Sequence, residues 1–404
     1  MRIPIPLRML LLASMLTPAM ADAQTTADLF DSDTLQEVQV FINSRDLKEL
    51  REHYWENRYY TADFVWRGIR VRNVGIRERG LATRSATKPS LHIAFDHYIT
   101  GQQFLGLHSL VLKNVLSDAS FIRERTATAF IDHMGQPALR ESFGRVYING
   151  VYHGVYGLIE PPDSNFLTRT LGDSSGYLFK YRFTVPFHAE YLGDNLDEYK
   201  AHFEAQTHER EADSVLYSPF RDLFREVNHD VDSVWRERVG RYIDLQQLVT
   251  YVALESFLAE DDGFLGYAGL ANFYVYRPAG QDVHRLLPWD RDLTFSAIEW
   301  SIFPRVEENI LVQRALAFGD LRALYLDVLE RCARSASQDG WLEHEMSRMS
   351  ALIADSVHAD TLKVFSNDEY DAAAGFLLEF AQRRAAYVLD EVAKARAQSD
   401  ERTR

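Results

Sequence analysis

The residues best suited to chemistry crowd between Glu260 and Asp292. Glu260, Asp261 and Asp262 stand in a row before Gly263, Asn272 follows ten positions after Asp262, and Pro288-Trp289-Asp290-Arg291-Asp292 closes the segment. Carboxylates this close repel one another unless they face water or share a cation. A hard divalent ion takes carboxylate and amide oxygens, often one or two carboxylates completed by substrate phosphate. On a strand, Asp290 and Asp292 would share a face, with Trp289 between them turned into the core. The same residues also fit a solvated helix end with Asp290 paired to Arg291 or Arg285, and the segment alone leaves both readings open.

A second group is basic. Arg77, Arg79, Arg84 and Lys88 stand against the single Glu78, ahead of Pro89 and a strand-like run to Phe95. In a chain of net charge −15 such a local surplus suits phosphate, although the outer face of an antiparallel sheet would look the same. Gly75 and Gly80 have the spacing of a P-loop, but Leu81-Ala82 stands where Gly-Lys-Ser/Thr should end it, so the Walker reading fails. There is no Gly-x-Ser-x-Gly and no His-Glu-x-x-His, and Cys332 is the only cysteine, which argues against a thiol enzyme and excludes an internal disulfide. The scattered histidines (among them His92, His153 and His284) and the tyrosines Tyr147, Tyr152 and Tyr156 read as packing or surface residues.

The elements that must position these groups follow from periodicity. Val38 to Ile42 reads as a strand, with a helix starting at Asp46 behind it. Phe64 to Trp66 and Ile69 to Val71 flank Gly68, and Val74 to Arg79 and Ser90 to Phe95 alternate as strands do. Phe121 to Met134 has helical spacing and ends at Gly135. Asn149-Gly150 between two strand-like runs predicts a type I′ hairpin. These elements imply a twisted sheet with helices against it. Beyond Gly176 the spacing predicts helices over 199–207, 213–227 and 245–259, the last capped by Asp244, then strands over 272–276 and 284–287, and helix again over 306–395.

Composition sets the outer limits. With 404 residues, 46% of them hydrophobic and 25% charged, the chain is globular rather than disordered, and its acidity disfavours a sequence-tolerant nucleic-acid partner. Residues 1–21 read as an export signal: Arg2 and Arg8, an apolar stretch, then Ala19-Met20-Ala21, with a second acceptable cut after Ala23. No later run approaches the roughly 18 apolar residues of a membrane span. The expected location is therefore the periplasm or the cell exterior.

The order of motifs resembles the CotH family of secreted and spore-coat atypical protein kinases. The matching stretches are VGIRERG, KPSLHIAF, LKNVLSDASFIRERTATAF, GQPALRESFGRVYINGVYHGVYGLIE, FLTRTLGDSSGYLFKY, DDGFLGYAGLANFYVYR, LLPWDRDLTF and FLLEFAQRRAAYVLDEV. The resemblance implies an α+β, divergent two-lobed kinase fold: a polar linker over 22–35, a mainly antiparallel N-lobe over 36–170, and a C-lobe with the catalytic segment over 171–300. A helical end follows over 301–396, then a frayed tail over 397–404. It implies transfer of the γ-phosphoryl of ATP to Ser or Thr with Mg²⁺ or Mn²⁺. Asp262 would be the base, and Asp290, Asp292 and Asn272 the metal ligands. Lys88 would contact phosphate beside Arg79 and Arg84, with Glu124 as its partner, Glu160 near the connection between lobes, and Lys180 facing the nucleotide. Departures from the family pattern are Leu81-Ala82-Thr83, Ser296 and Glu260. An inactive coat-assembly module and an AMP transferase on the same fold are the alternatives, and the acidic surface favours a Lys- or Arg-rich protein acceptor.

Overall fold

The computed structural model describes residues 24–403, so the proposed export signal lies outside the described residues. The chain is a mixed α+β protein built on two sheets and a helical mass. Seven strands form a closed barrel: β1 (Gln36–Ile42), β2 (Tyr60–Trp66), β3 (Ile69–Glu78), β4 (Leu91–Ala94), β5 (Ser109–Lys113), β6 (Glu141–Ile148) and β7 (Val151–Ile159). Neighbours run antiparallel except β1 and β6, whose parallel pairing closes the ring. The sequence implies a twisted sheet, and the structure closes it into a barrel. Closure removes the two edges that such a sheet would leave unpaired. Asn149 and Gly150 both have positive φ, +51° and +79°, as a type I′ turn between β6 and β7 requires.

Alternate residues of β1 and β2 (Val38, Val40, Ala62, Phe64 and Trp66) fill the barrel. Around it lie α1 (Thr26–Leu29), α2 (Ser44–Glu52) and α3 (Arg123–His133), then α4 (Ser164–Leu171) after β7. The second sheet has the order β11-β10-β8-β9, with β8 (Tyr177–Tyr181), β9 (Phe203–Ala205), β10 (Phe273–Arg277) and β11 (Arg285–Pro288). The spacing predicts one helix over 199–207. Instead α5 (Leu196–His202) stops where Phe203 turns extended, and β9 pairs with β8. Then follow α6 (Asp213–His229), α7 (Asp232–Val239) and α8 (Leu245–Phe257). Asp244 caps α8 through the backbone N–H groups of Gln246 and Gln247.

The helical end divides into α9 (Ile310–Ala315), α10 (Gly319–Ser337), α11 (Trp341–His358) and α12 (Asn367–Thr403). A large helical core centred on α8, α10, α11 and α12 also takes in Phe121, Phe130 and Val155, so α3 and β7 are anchored to the helices as well as to the barrel. A small third cluster, including Val111, Leu178, Tyr274 and Trp289, fills the space between the barrel and the second sheet. No helix among the described residues is long and apolar enough to cross a membrane.

Candidate active site

Lys113, the last residue of β5, is the centre of the charged cluster between the barrel and the second sheet. Its Nζ lies 2.6 Å from Glu124 Oε2 in the first turn of α3 and 3.1 Å from Asp292 Oδ2, and it also donates to Asp290 Oδ1. Only 5% of the lysine side chain is exposed. Burial works against its charge, but the three carboxylates outweigh burial and hold the ammonium well above its ordinary pKa. Asp290 moves the opposite way: burial would raise it, and Lys113 more than compensates, so its pKa is lowered. Glu124 is the acid that burial keeps well above the usual carboxylate range. Asp292 takes a further hydrogen bond from the Ser117 hydroxyl.

Asp262 stands beside this cluster. Its Oδ2 accepts from Asn272 Nδ2 at 2.9 Å, and the same amide reaches the Asp262 carbonyl at 2.8 Å. Burial, together with the charges of Asp290 and Asp292, pushes the Asp262 carboxyl up to about 6, while the Asn272 bond pulls it down. Asn272 and Asp290 both sit in the left-handed region, with φ of +55° and +57°. Such strain in non-glycine residues persists only where the surroundings over-determine it, and it concentrates at functional sites. Asp290 and Asp292 lie beyond β11, which ends at Pro288, so the shared strand face that their spacing would give on a strand does not apply. The turned backbone nevertheless brings both carboxylates to Lys113.

Arg291 between them points the other way. It is 1% exposed, and its Nη1 reaches Glu255 Oε1 at 2.6 Å and Glu260 Oε2 at 3.5 Å, with Tyr251 as a third partner. Glu260 in turn accepts from the Asp262 backbone N–H at 3.0 Å, and Glu255 from that of Phe264 at 2.8 Å. One buried guanidinium therefore ties α8, the Asp262 loop and the Asp290 turn together. Glu260 is thus no solvated helix end. Burial holds its carboxyl up at about 8.

A profile of the family described as CotH kinase protein matches residues 76–388. The chain belongs to that family. It is 24% identical over 365 residues to the inner spore coat protein H of Bacillus subtilis (strain 168), a match covering 88% of this chain and 96% of that one. Among solved structures, the Helicobacter pylori proinflammatory kinase CtkA aligns at TM-score 0.32 and 9% identity, over 77% of this chain and 95% of that one.

Along this CotH chain the structure gathers Glu124, Asp262, Asn272, Asp290 and Asp292, with Arg79 and Lys180 close by. The Arg79 guanidinium lies over the Trp289 ring at 5.3 Å, and Arg79 and Asp290 are among the charges acting on Lys180, whose pKa burial lowers. Two residues expected here, Lys88 and Arg84, lie elsewhere. Lys88 is completely buried, with Nζ 2.7 Å from Asp360 and Phe121 and Tyr156 on its flanks. Glu124 accordingly pairs with Lys113 instead. Arg84 is drawn to the carbonyls of Tyr54, Glu56 and Gly80, between 2.7 and 3.2 Å, and to Asn57. Glu160 is at the end of β7, but its carboxylate is engaged by Arg140 and Arg169, at 2.6 and 2.5 Å.

Lys113 is the residue that sequence reasoning missed. Its signal is the apolar run Ser-Leu-Val-Leu-Lys, a strand buried on both faces, followed eleven residues later by Glu124 at the start of a helix. Among the described residues no three His, Cys, Asp or Glu side chains stand together as a metal site. Asp290 and Asp292 carry carboxylate oxygens and Asn272 an amide oxygen, donor types that suit Mg²⁺, with Asp290 Oδ1 and Asp292 Oδ2 engaged here by Lys113.

Proposed function

We propose that this protein is an exported CotH-type protein kinase on a two-lobed kinase-like scaffold, transferring the γ-phosphoryl group of ATP to Ser or Thr of a protein acceptor. The observation that carries the reading is the convergence of Lys113, Glu124, Asp290 and Asp292 beside the Asp262–Asn272 pair. Phosphoryl transfer asks little covalent chemistry of the protein and much positioning and electrostatic stabilisation. Lys113, fixed by Glu124, supplies a buried positive charge for the phosphates, and Arg79 and Lys180 add to it from the rim. Asp290, Asp292 and Asn272 would hold Mg²⁺ or Mn²⁺, and the ion would supply charge neutralisation for the nucleotide phosphates.

Asp262 orients the acceptor hydroxyl and takes its proton. The hydroxyl oxygen forms a bond to the γ-phosphorus as the bond to the β,γ-bridging oxygen breaks, and ADP leaves. A carboxyl held at about 6 is mostly ionised at pH 7 yet basic enough to receive that proton. Action outside the cytoplasm is supported by residues 1–21 and by the similarity to a spore coat protein.

The deciding experiment incubates the purified chain with metal and either α- or γ-labelled ATP and a basic protein acceptor. Label from the γ position only, lost in Asp262→Ala and Asp290→Ala, is expected. Label from the α position would assign AMP transfer. Equal labelling in both variants, or no calorimetric binding of Mg·ATP by the folded chain, would refute the kinase reading and favour a coat-assembly module.

A further inference from the structure

Asp262 and Asn272 stand ten residues apart, against roughly five between base and asparagine in ordinary protein kinases. The extra residues fold into a loop closed on itself between Gly263 and Ala271. The Gly263 carbonyl accepts from the N–H groups of both Gly266 and Ala271, each at 3.0 Å. Gly269 has a φ of +91°, and a Cβ there would come within 2.4 Å of the Phe187 carbonyl oxygen, so the loop packs backbone to backbone against the segment that follows β8. The Leu270 N–H donates to that same oxygen at 2.8 Å. From the other side, Arg305 donates to the Leu265 carbonyl at 3.3 Å and to the Asp261 carboxylate at 2.7 Å.

Every residue of this loop is buried or half-buried except Tyr267. That tyrosine is 62% exposed, and its N–H donates at 2.9 Å to the carbonyl of Asp261, the neighbour of the proposed base. The segment against which the loop packs is exposed over residues 182–186 and contributes Phe183 and Val185, 42% and 58% exposed, just before the buried Phe187. Single exposed apolar residues are ordinary on a protein surface. These three differ because they lie on two segments joined by the Phe187–Gly269 bridge, and one of them is tied to the Asp261 backbone. An aromatic ring held out to water by so fixed a loop can bury apolar surface on a partner with little ordering left to do.

We propose that Tyr267, with Phe183 and Val185 beside it, is the acceptor-recognition element of this protein, taking an apolar side chain that flanks the modified Ser or Thr of a protein acceptor. The inference rests on the kinase reading above. Its occupant follows from position: a chain that brings its hydroxyl to Asp262 lies against the loop that begins at Gly263. The net charge of −15 steers a basic acceptor from a distance, whereas an apolar contact beside the base selects which hydroxyl is modified.

The test measures γ-label transfer from Mg·ATP to serine peptides in which each flanking position is fixed in turn as Leu, Gly, Lys or Glu, using the full chain and its Tyr267→Ala, Tyr267→Phe and Tyr267→Lys variants. The native chain should favour Leu over Gly at one flanking position by about tenfold, the scale of burying one apolar side chain. Tyr267→Ala should abolish that preference by raising KM for the Leu peptide about tenfold, with kcat within about twofold of native, as loss of uniform binding requires. Tyr267→Phe should restore the preference, and Tyr267→Lys should move it to Glu at the same position. Calorimetric affinity for Mg·ATP should be equal in all four proteins. No transfer to any peptide by the native chain would overturn the kinase reading and this inference together. Transfer without a Leu preference, a Leu preference that survives both Tyr267→Ala and Tyr267→Lys, or a fall in kcat or in Mg·ATP affinity in place of the rise in KM would overturn this inference alone and leave the kinase reading standing.

Discussion

Lys113 is surrounded by three carboxylates and so cannot be replaced by a neutral side chain without two separate effects. Lys113→Met removes the fixed charge proposed for the phosphates, and γ-label transfer should fall by about 10²-fold or more, the scale of losing one preorganised electrostatic contact. It also leaves Glu124, Asp290 and Asp292 facing one another. The variant should therefore melt lower at pH 8 than at pH 6, relative to the native chain, because protonation relieves the repulsion. A loss of transfer with an unaltered pH dependence of melting would mean that Lys113 is not the shared cation. The carboxylates and Asn272 were legible in the sequence because acids at short spacing around Trp289 are conspicuous. The lysine was not, because Lys88 precedes an alternating strand and a basic neighbourhood, whereas Lys113 ends a strand with no alternation at all.

At the scale of elements, the loop from Arg79 to Ser90 is held by one buried acid. Glu78 at the end of β3 accepts from the backbone N–H groups of Ser85 and Ser90 through Oε1, at 3.1 and 3.2 Å, while Oε2 has no partner. Burial raises its carboxyl to about 8, against an ordinary 4.5. The unfolded chain ionises this group near the ordinary value and the folded chain does not, so unfolding releases a proton throughout the interval between. Stability contributed by the protonated form is complete below the lower value and declines as pH rises toward 8, by at most about 1.4 kcal/mol per pH unit. Glu78→Gln keeps the acceptor and cannot ionise. Its denaturant midpoint should exceed that of the native chain at pH 8, match it near pH 5, and fall less steeply between. Glu260, also held at about 8, maintains part of the slope. An identical slope in the two proteins would show that Glu78 ionises normally. Local pattern was a good guide where one face of an element is wet, as in β1, β2 and the Asn149-Gly150 hairpin. It failed where tertiary pairing overrides it, as at β9, whose three residues turn extended only to extend the second sheet.

At the scale of the whole molecule, Lys88 acquires a different meaning from the one its neighbourhood suggests. Its ammonium, 0% exposed, pairs with Asp360 just beyond α11, and so joins the barrel to the helical end. The carboxylate is fully engaged: Oδ2 takes Lys88 at 2.7 Å and the Val155 N–H at 3.3 Å, and Oδ1 takes the N–H groups of Leu362 and Lys363 at 2.9 and 3.1 Å. Gly154 has a φ of +106°, and a Cβ there would overlap the Asp360 carboxylate, so the approach of β7 to the helices depends on its having no side chain. Tyr152 adds a bond to the Ser356 carbonyl at 2.8 Å. Lys88→Met strands a buried carboxylate and should cost about 3–5 kcal/mol of unfolding free energy. Adding Asp360→Asn removes the stranded charge while keeping an acceptor for Leu362 and Lys363. The double variant should therefore be more stable than Lys88→Met by about 1 kcal/mol or more, a coupling read from a denaturant double-mutant cycle. Hydrogen exchange gives the spatial reading: in Lys88→Met the amides of β7 should lose protection first, while those of α8 and α10 keep theirs. Additive losses in the cycle, or uniform loss of protection across both halves, would mean that this ion pair does not join the barrel to the helices.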